Sequence, residues 1–215
     1  MKKTLLILFI FNCLNAYSQT PSDLFNAGRN IASASSQDKL SKRWFSNVEL
    51  EFGVNNEVEY RYSLYDNNDH LISGRSAELE NKVSYGILYS INYPLFNKLT
   101  IGAVGGFQHQ SQQKISALKF GGILRYHFIN YESVNINLMT AYNLALSDNI
   151  SSDMANVRLG LQFPISKTDD FNLNLNVFWD YNYYVASKPI LLEENNEKPS
   201  HIIFRSYGVS LGMQF

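Results

Sequence analysis

Cysteine is almost missing from this sequence of 215 residues, which has one, at position 13. Cys13 lies inside an apolar run near the amino terminus, in a segment that we expect to be removed. The mature chain is therefore predicted to hold no disulfide and no thiol nucleophile. A lipid-modified cysteine is disfavoured, because Phe11 and Asn12 precede it where small residues are needed. Stability must then come from packing and hydrogen bonds.

Long apolar runs and an excess of one charge are also lacking. No segment beyond the amino-terminal run is apolar for the roughly 20 residues that a transmembrane helix needs. The net charge of -1 gives no reason to expect a nucleic-acid partner. The sequence has no Gly-rich phosphate loop and no paired metal-ligand spacing, so we predict no cofactor and no metal. An exported, aromatic-rich chain without apolar helices indicates β structure.

The amino terminus has the three parts of a secretory signal. Lys2 and Lys3 precede an apolar run over residues 5–14, and Ala16-Tyr17-Ser18 fits the small-x-small cleavage rule. The apolar run is too short to cross a bilayer, which argues against a membrane anchor. We predict a signal peptide over 1–18, a periplasmic segment over 19–43 and a single β domain over 44–215.

The stretch VELEFGVNNEVEYRY tests whether the chain turns at Asn55-Asn56 or continues. In a strand, residues of equal parity share a face. A two-residue hairpin would move the apolar residues from even to odd positions, but Val48, Val54 and Val58 are all even. The pattern predicts one long strand over Phe45–Tyr65, with Asn56 as a polar interruption or a bulge near the membrane boundary.

The same alternation predicts seven further strands. They cover residues 78–93, 99–107, 116–128, 134–146, 155–163, 171–185 and 207–215. Short connections at 94–98, 129–133 and 166–170 alternate with mostly longer, more polar ones. Short turns at one rim, longer loops at the other and an even strand number are typical of outer-membrane barrels. We predict an all-β fold, an eight-stranded antiparallel transmembrane up-and-down β-barrel.

The composition of the two strand faces argues against a soluble sandwich or a lipocalin-like barrel. A soluble barrel would have an apolar interior and an outer face rich in Lys and Glu. Here the apolar face is dense in Leu, Ile, Val, Phe and Tyr and carries almost no charge, whereas the other face carries Asn, Gly, Ser, Glu and Arg. This arrangement suits a barrel that faces lipid.

The last nine residues, YGVSLGMQF, place apolar side chains on one face and end on an aromatic. This pattern resembles the carboxy-terminal signature of outer-membrane β-barrel proteins of Gram-negative bacteria, and the whole β domain is similar to small barrels of the OmpA or OmpX type. The resemblance implies location in the cell outer membrane and recognition by the barrel-assembly machinery. The residues implied in this assembly signal are Tyr207, Val209, Leu211, Met213 and Phe215.

The polar face, assigned to the lumen, carries twelve charged side chains. They are Glu49, Glu51, Glu57, Glu59, Arg61, Glu78, Glu80, Lys82, Lys119, Arg125, Arg158 and Asp180. Because buried charges need partners, this near balance predicts a salt-bridge lattice that fills the barrel. A narrow, porin-like passage for small solutes is the alternative. The glutamates of the first strand could bind Ca²⁺, but no compact ligand loop accompanies them.

An enzyme that modifies lipid A is a further alternative, because some small outer-membrane barrels use a His, a Ser and a carboxylate near the rim. His70, His109, His127 and His201 are candidates, but no family motif surrounds them, and we assign no catalytic residue. The expected role is structural or surface-interacting. Partners are outer-membrane lipid and lipopolysaccharide, with an extracellular protein or ligand possible at the loops over 66–75 and 188–199.

Overall fold

The computed structural model describes residues 43–66, 68–130, 132–151, 155–168, 170–191 and 196–215. The predicted signal peptide, and the predicted periplasmic segment apart from Arg43, lie outside these residues. No helix in the described ranges is long and apolar enough to cross a membrane.

Nine strands and one short 3₁₀ turn make up the described part of the chain. The strands are β1 (Phe45–Tyr65), β2 (Leu71–Glu78), β3 (Val83–Phe96), β4 (Leu99–Gln110), β5 (Ile115–His127), β6 (Asn135–Ala145), β7 (Ala155–Lys167), β8 (Asn172–Val185) and β9 (Glu197–Gln214). The long strand over Phe45–Tyr65 is confirmed at both ends.

The strands form one antiparallel sheet that closes on itself through β1 and β9. β9 pairs along almost all of β1, from Asn47 opposite Gln214 to Leu64 opposite Glu197. At the seam, the Ser46 amide donates to the Phe215 carbonyl at 3.1 Å and the Phe215 amide donates back at 3.0 Å. The predicted closed eight-stranded barrel is confirmed, because β1 and β3 to β9 form a continuous ring of eight paired strands.

The ninth strand, β2, was not predicted, and half of the expected loop over 66–75 lies in this strand. β2 pairs with the carboxy-terminal part of β1, Glu59 to Tyr65, while β3 pairs with the amino-terminal part, Phe45 to Val54. β2 and β3 thus occupy the same edge of β1 one after the other, with a break between them. The sequence of β2, LISGRSAE, does not predict a strand, because its apolar residues do not alternate.

The paired residues spiral around the wall, which is the mark of tilted strands. Starting at Asn47 and stepping from each residue to its partner on the next strand, the path returns to β1 at Val58, eleven positions further along. Such a stagger accompanies the strand tilt of small closed barrels. The alternating direction of the antiparallel strands places the short turns and the paired chain end at one rim and the long loops at the other.

A β-bulge at Asn56 divides β1 into two segments with opposite orientations. Asn55 pairs with Ser206 and Glu57 with Arg205, so Asn56 is an extra residue. Before the bulge, Val54 is exposed on the outer surface and Asn55 is buried. After it, Val58 is buried and Glu57 is partly exposed. The bulge therefore turns the apolar face of β1 from the outside of the barrel to the inside.

The part of the wall near the short-turn rim has the surface that lipid requires. Between the short-turn rim and the level of the bulge, exposed large side chains on the outside are apolar or aromatic, and most side chains on the inside are polar. Because a closed barrel satisfies its backbone groups and presents an apolar belt, this part of the chain has the architecture of a transmembrane β-barrel.

Candidate functional site

The lumen holds six of the twelve charged residues that the sequence placed there. These are Glu49, Glu51, Lys119, Arg125, Arg158 and Asp180, all buried. The structure places the other six elsewhere. Glu57, Glu59, Arg61 and Glu78 lie on the outer surface beyond the bulge, and Glu80 and Lys82 are exposed in the break between β2 and β3. The bulge accounts for the β1 residues, since it reverses their parity.

Arg158 on β7 is the centre of a four-residue ion cluster, the central ion cluster, formed with Glu51, Asp180 and Lys119. Its Nη1 donates to Glu51 Oε2 at 2.6 Å and its Nη2 donates to Asp180 Oδ2 at 3.1 Å. Lys119 Nζ lies 3.6 Å from the same Asp180 oxygen. Two carboxylates and two cations balance, so the cluster can remain ionised away from water.

Amide side chains complete the coordination of Asp180. Asn156 Nδ2 donates to Asp180 Oδ1 at 2.6 Å, and Asn182 Nδ2 and Gln108 Nε2 donate to Oδ2 at 3.0 and 3.2 Å. The Asn-rich alternation of the sequence thus supplies hydrogen-bond donors to the buried carboxylate. Together with the cations, these bonds tie strands β4, β5, β7 and β8 across the lumen.

Close packing surrounds the central ion cluster. The Arg158 guanidinium lies over the Phe178 ring, 3.9 Å from its centroid. A Cβ atom on Gly86 would stand 2.4 Å from the Phe107 carbonyl oxygen and 2.7 Å from Glu51 Oε1, so only glycine fits there. These contacts show that side chains pack closely around the cluster at this level.

A second ion pair lies nearer the short-turn rim. Arg125 on β5 contacts Glu49 on β1, with Nη2 3.5 Å from Oε1, and also donates to Asn92. Glu49 accepts from Ser210 Oγ at 2.8 Å and from Asn47 Nδ2 at 2.7 Å.

Apolar side chains separate the two ionic levels. Leu88, Val104, Ile123 and Met139 form a small buried cluster inside the barrel. Ile123 lies between Lys119 and Arg125 on β5, which places this cluster between the ion cluster and the ion pair. The sequence contains the signal for it, since these four residues break the polar side of the alternation in four consecutive strands.

A larger buried apolar cluster, the outer plug, lies inside the barrel at its long-loop end. Its buried members are Val58, Tyr60, Tyr62, Leu64, Ile115, Ala117, Ile150, Tyr184, Ala186, Ile202 and Phe204. It lies within the segment of wall whose outer face is charged. This end of the barrel therefore has the inside and outside polarity of a soluble protein.

The connection between β8 and β9 is fixed to the outer plug by Glu197. Its Oε1 accepts hydrogen bonds from the Tyr60 hydroxyl at 2.5 Å and from the Ile190 amide at 2.8 Å, and Oε2 accepts from the Leu191 amide at 3.1 Å. Ile190 packs against the plug. The described part of a connection expected from the sequence to be an outward contact loop is thus held against the outer plug.

Two small cavities lie along the lumen axis. One opens at the short-turn rim beside Asn47, Arg125 and His127, and the other lies beside Glu49, Val104 and Arg158. The volume open to the centre of a water molecule is about 10 Å³ in each, which is space for about one water.

The four candidate histidines lie apart from one another. His127 is buried in the lumen beside Thr100 at 3.1 Å, whereas His109 bonds to Ser116 at 2.8 Å on the outer face. His70 contacts Asp66, and His201 contacts Ser200. Among the described residues, no group of three or more His, Asp or Glu side chains is placed to hold a metal ion.

The residues of the implied assembly signal lie on the lipid-facing side of β9. Tyr207, Val209, Leu211, Met213 and Phe215 are all exposed, while Ser210 between them is buried in the lumen. Phe215 ends the closing strand, and its backbone pairs with Ser46. The side chain is therefore presented outward at the short-turn rim.

Comparison with known proteins returns structural similarity only. No family model matches the chain, and no curated protein matches it. The outer membrane protein AlkL, determined by solid-state NMR in lipid bilayers, is 11% identical over 84% of this chain and 93% of its own, with a TM-score of 0.46. OprG from Pseudomonas aeruginosa is 11% identical over 81% and 97%, with a TM-score of 0.41. Neisserial surface protein A is 15% identical over 78% and 95%, with a TM-score of 0.39.

Proposed function

We propose that this protein is a closed outer-membrane barrel with a structural or surface-interaction role, and that its lumen does not conduct solutes. The observation that carries the proposal is that two barriers of different chemistry, the central ion cluster and the outer plug, lie at successive levels of the lumen. An ion crossing the plug would lose its hydration among Phe204, Ile202 and Val58 without gaining polar partners.

The central ion cluster supports the same conclusion by a different physical route. Arg158 bridges Glu51 and Asp180 across the barrel, so a solute must break at least one buried ion pair to pass. Breaking such a pair costs about 3–5 kcal/mol. We propose that the lattice expected from the sequence exists in a smaller form, with six lumenal members instead of twelve.

The long-loop rim is proposed to face outside the cell, because outer-membrane barrels keep short turns at the periplasmic side. In this orientation the β1–β2 hairpin and the connection before β9 stand above the membrane and can contact an extracellular protein or ligand. Lipopolysaccharide surrounds the outer half of the wall. Phe215 lies at the periplasmic rim, where the barrel-assembly machinery would meet it.

Planar-bilayer recording of the purified protein tests the closed lumen. We expect no stable conductance steps, and reproducible steps from the wild type would establish the narrow-pore alternative instead. The enzyme alternative is tested separately by incubating the protein with lipid A and following the lipid by mass spectrometry. A change in acyl or phosphate content that needs the folded barrel would replace the structural role by a catalytic one.

A further inference from the structure

Two arginines and two glutamates stand on the outer surface of the barrel just beyond the Asn56 bulge. Glu57 lies opposite Arg205 on β9, and Arg61 lies opposite His201. Their neighbours Val58 and Tyr60 are wholly buried in the outer plug. Because successive strand residues face opposite sides, these charged side chains must point away from the barrel.

The level of this charged group is set by the residues beneath it. On the same two strands, Val54 and Tyr207 face outward with 43% and 60% of their surface exposed. Tyr181 on β8 lies opposite Arg205. Tyr residues mark the edge of the apolar belt in membrane barrels. The charges therefore begin where the hydrocarbon region ends and meet the lipid headgroups.

The existing ion pairs leave both arginines able to bind a further anion. Arg61 uses Nε to contact Glu59 Oε1 at 2.6 Å, and Arg205 uses Nη1 to contact Glu57. The side chains of Arg61 and Arg205 remain 50% and 37% exposed. Ion pairs this exposed contribute little to stability, so they exchange readily with other partners. A guanidinium has five N–H donors, and one contact leaves most of them available.

We propose that Arg61 and Arg205 form a binding site for the phosphate groups of outer-leaflet lipid headgroups. Phosphate suits this site because a guanidinium can bind it through two parallel hydrogen bonds. The two arginines are separated along the wall by about four residues, or roughly 13 Å, at the usual rise per strand residue. They can therefore hold two separate phosphates. The inference rests on the proposed function only for the orientation of the barrel.

The site depends on the bulge. If Asn56 occupied a regular pairing position instead of a bulge, the strand parity would carry Glu57 and Arg61 into the lumen, as the sequence alternation alone suggests. The bulge thus performs two tasks at once, since it supplies the outer plug with apolar residues and the membrane surface with arginines.

Native mass spectrometry with a defined lipid tests the proposal. The probe is lipid A carrying both phosphates, compared with the same lipid after enzymatic removal of the phosphates. The wild type should retain the phosphorylated form at least about tenfold better, as expected for one charge-assisted hydrogen bond or more. The double variant Arg61→Gln/Arg205→Gln should lose this preference. Lys114→Gln, an exposed change in the turn between β4 and β5, is the matched control and should keep it.

A second variant separates lipid binding from a purely structural ion pair. Glu57→Gln removes the internal partner of Arg205 and should strengthen retention of the phosphorylated lipid. All variants must first show the heat-dependent gel mobility of a folded barrel. Equal retention of both lipid forms by the wild type, or unchanged retention by the double variant, would overturn the site. Neither result bears on the closed lumen, which bilayer recording tests independently.

Discussion

Val54 and Val58 lie on the same strand and share the same sequence parity, yet Val54 exposes 43% of its surface to the outside of the barrel and Val58 exposes none. The extra residue at the Asn56 bulge separates them. The apolar side chains of β1 therefore face lipid before the bulge and face a protein core after it. The barrel continues beyond the membrane without changing its hydrophobic alternation.

Removing the carboxylate of Asp180 should destabilise the barrel strongly. Asp180→Ala leaves Arg158 and Lys119 buried beside a single acid, Glu51, and the expected loss is about 3–5 kcal/mol of unfolding free energy. Urea titration of the protein in lipid vesicles measures it. The control is Glu80→Gln, which breaks an exposed pair with Lys82 and should change the free energy by less than about 0.5 kcal/mol. Equal urea midpoints for the two variants would show that the central ion cluster does not stabilise the barrel.

The outer plug should behave as a protein core although it lies in a membrane protein. Phe204 is wholly buried in it, so Phe204→Ala should cost about 3–5 kcal/mol through lost burial and cavity formation. Phe120→Ala, on the lipid-facing surface, removes the same side chain without opening an interior cavity and should cost less. Thermal unfolding followed by gel mobility compares them. A larger effect at Phe120 would contradict the apolar packing of the lumen.

The terminal aromatic should govern assembly more than stability. Phe215→Ala should lower the fraction of membrane-inserted, heat-modifiable protein and expose the chain to periplasmic proteases, because the outward ring is the proposed recognition element. Gln214 has the opposite parity, so Gln214→Ala should assemble nearly as well as wild type. The two variants are compared at matched expression. Full assembly of Phe215→Ala would show that the terminal aromatic is not an assembly signal.

The turn between β1 and β2 should loosen only in acid. The backbone amides of His70 and Asn68 donate to Asp66 at 2.8 Å each and lower the pKa of its carboxyl below the ordinary 3.8. A lowered folded pKa means that the stabilisation is present above the ordinary value and is lost as pH falls through the folded one. The His70 amide chemical shift should therefore titrate with a midpoint below 3.8. This titration should vanish in Asp66→Asn, and a midpoint at or above 3.8 would show that the hydrogen bonds do not form.

Alternation alone predicted the wall of the barrel well. A period of two is a direct consequence of strand geometry, and the eight wall positions, the closing pair of strands and both ends of β1 follow from it. It could not predict β2, whose residues carry no alternation because the strand stands beyond the membrane with both faces largely wet. The pairing partner of such a strand is decided by the neighbouring chain and not by its own composition.

The lumen was predictable in part. Arg158, Asp180 and Lys119 lie on regular strands, so their inward orientation follows from parity. Glu57, Glu59 and Arg61 lie past the bulge, and a bulge reverses orientation without leaving a mark in the hydrophobic pattern. Asn56 was recognised as an interruption. Whether one residue is extruded there depends on the pairing of its neighbours Asn55 and Glu57 with Ser206 and Arg205, which lie far away in the sequence.

Spin-label scanning across Asn56 tests the inversion of the wall most directly. Cys13 falls within the predicted signal peptide, and the sequence has no other cysteine, so single cysteines can be placed from Val54 to Tyr60 and labelled in lipid vesicles. The structure predicts a label that is accessible to oxygen in lipid at Val54, immobilised labels at Val58 and Tyr60, and labels accessible to a water-soluble reagent at Glu57 and Glu59. If the labels at Val54, Val58 and Tyr60 were all accessible to oxygen, the alternation would continue along β1 without a bulge. The outer plug and the outward arginines would then both be contradicted.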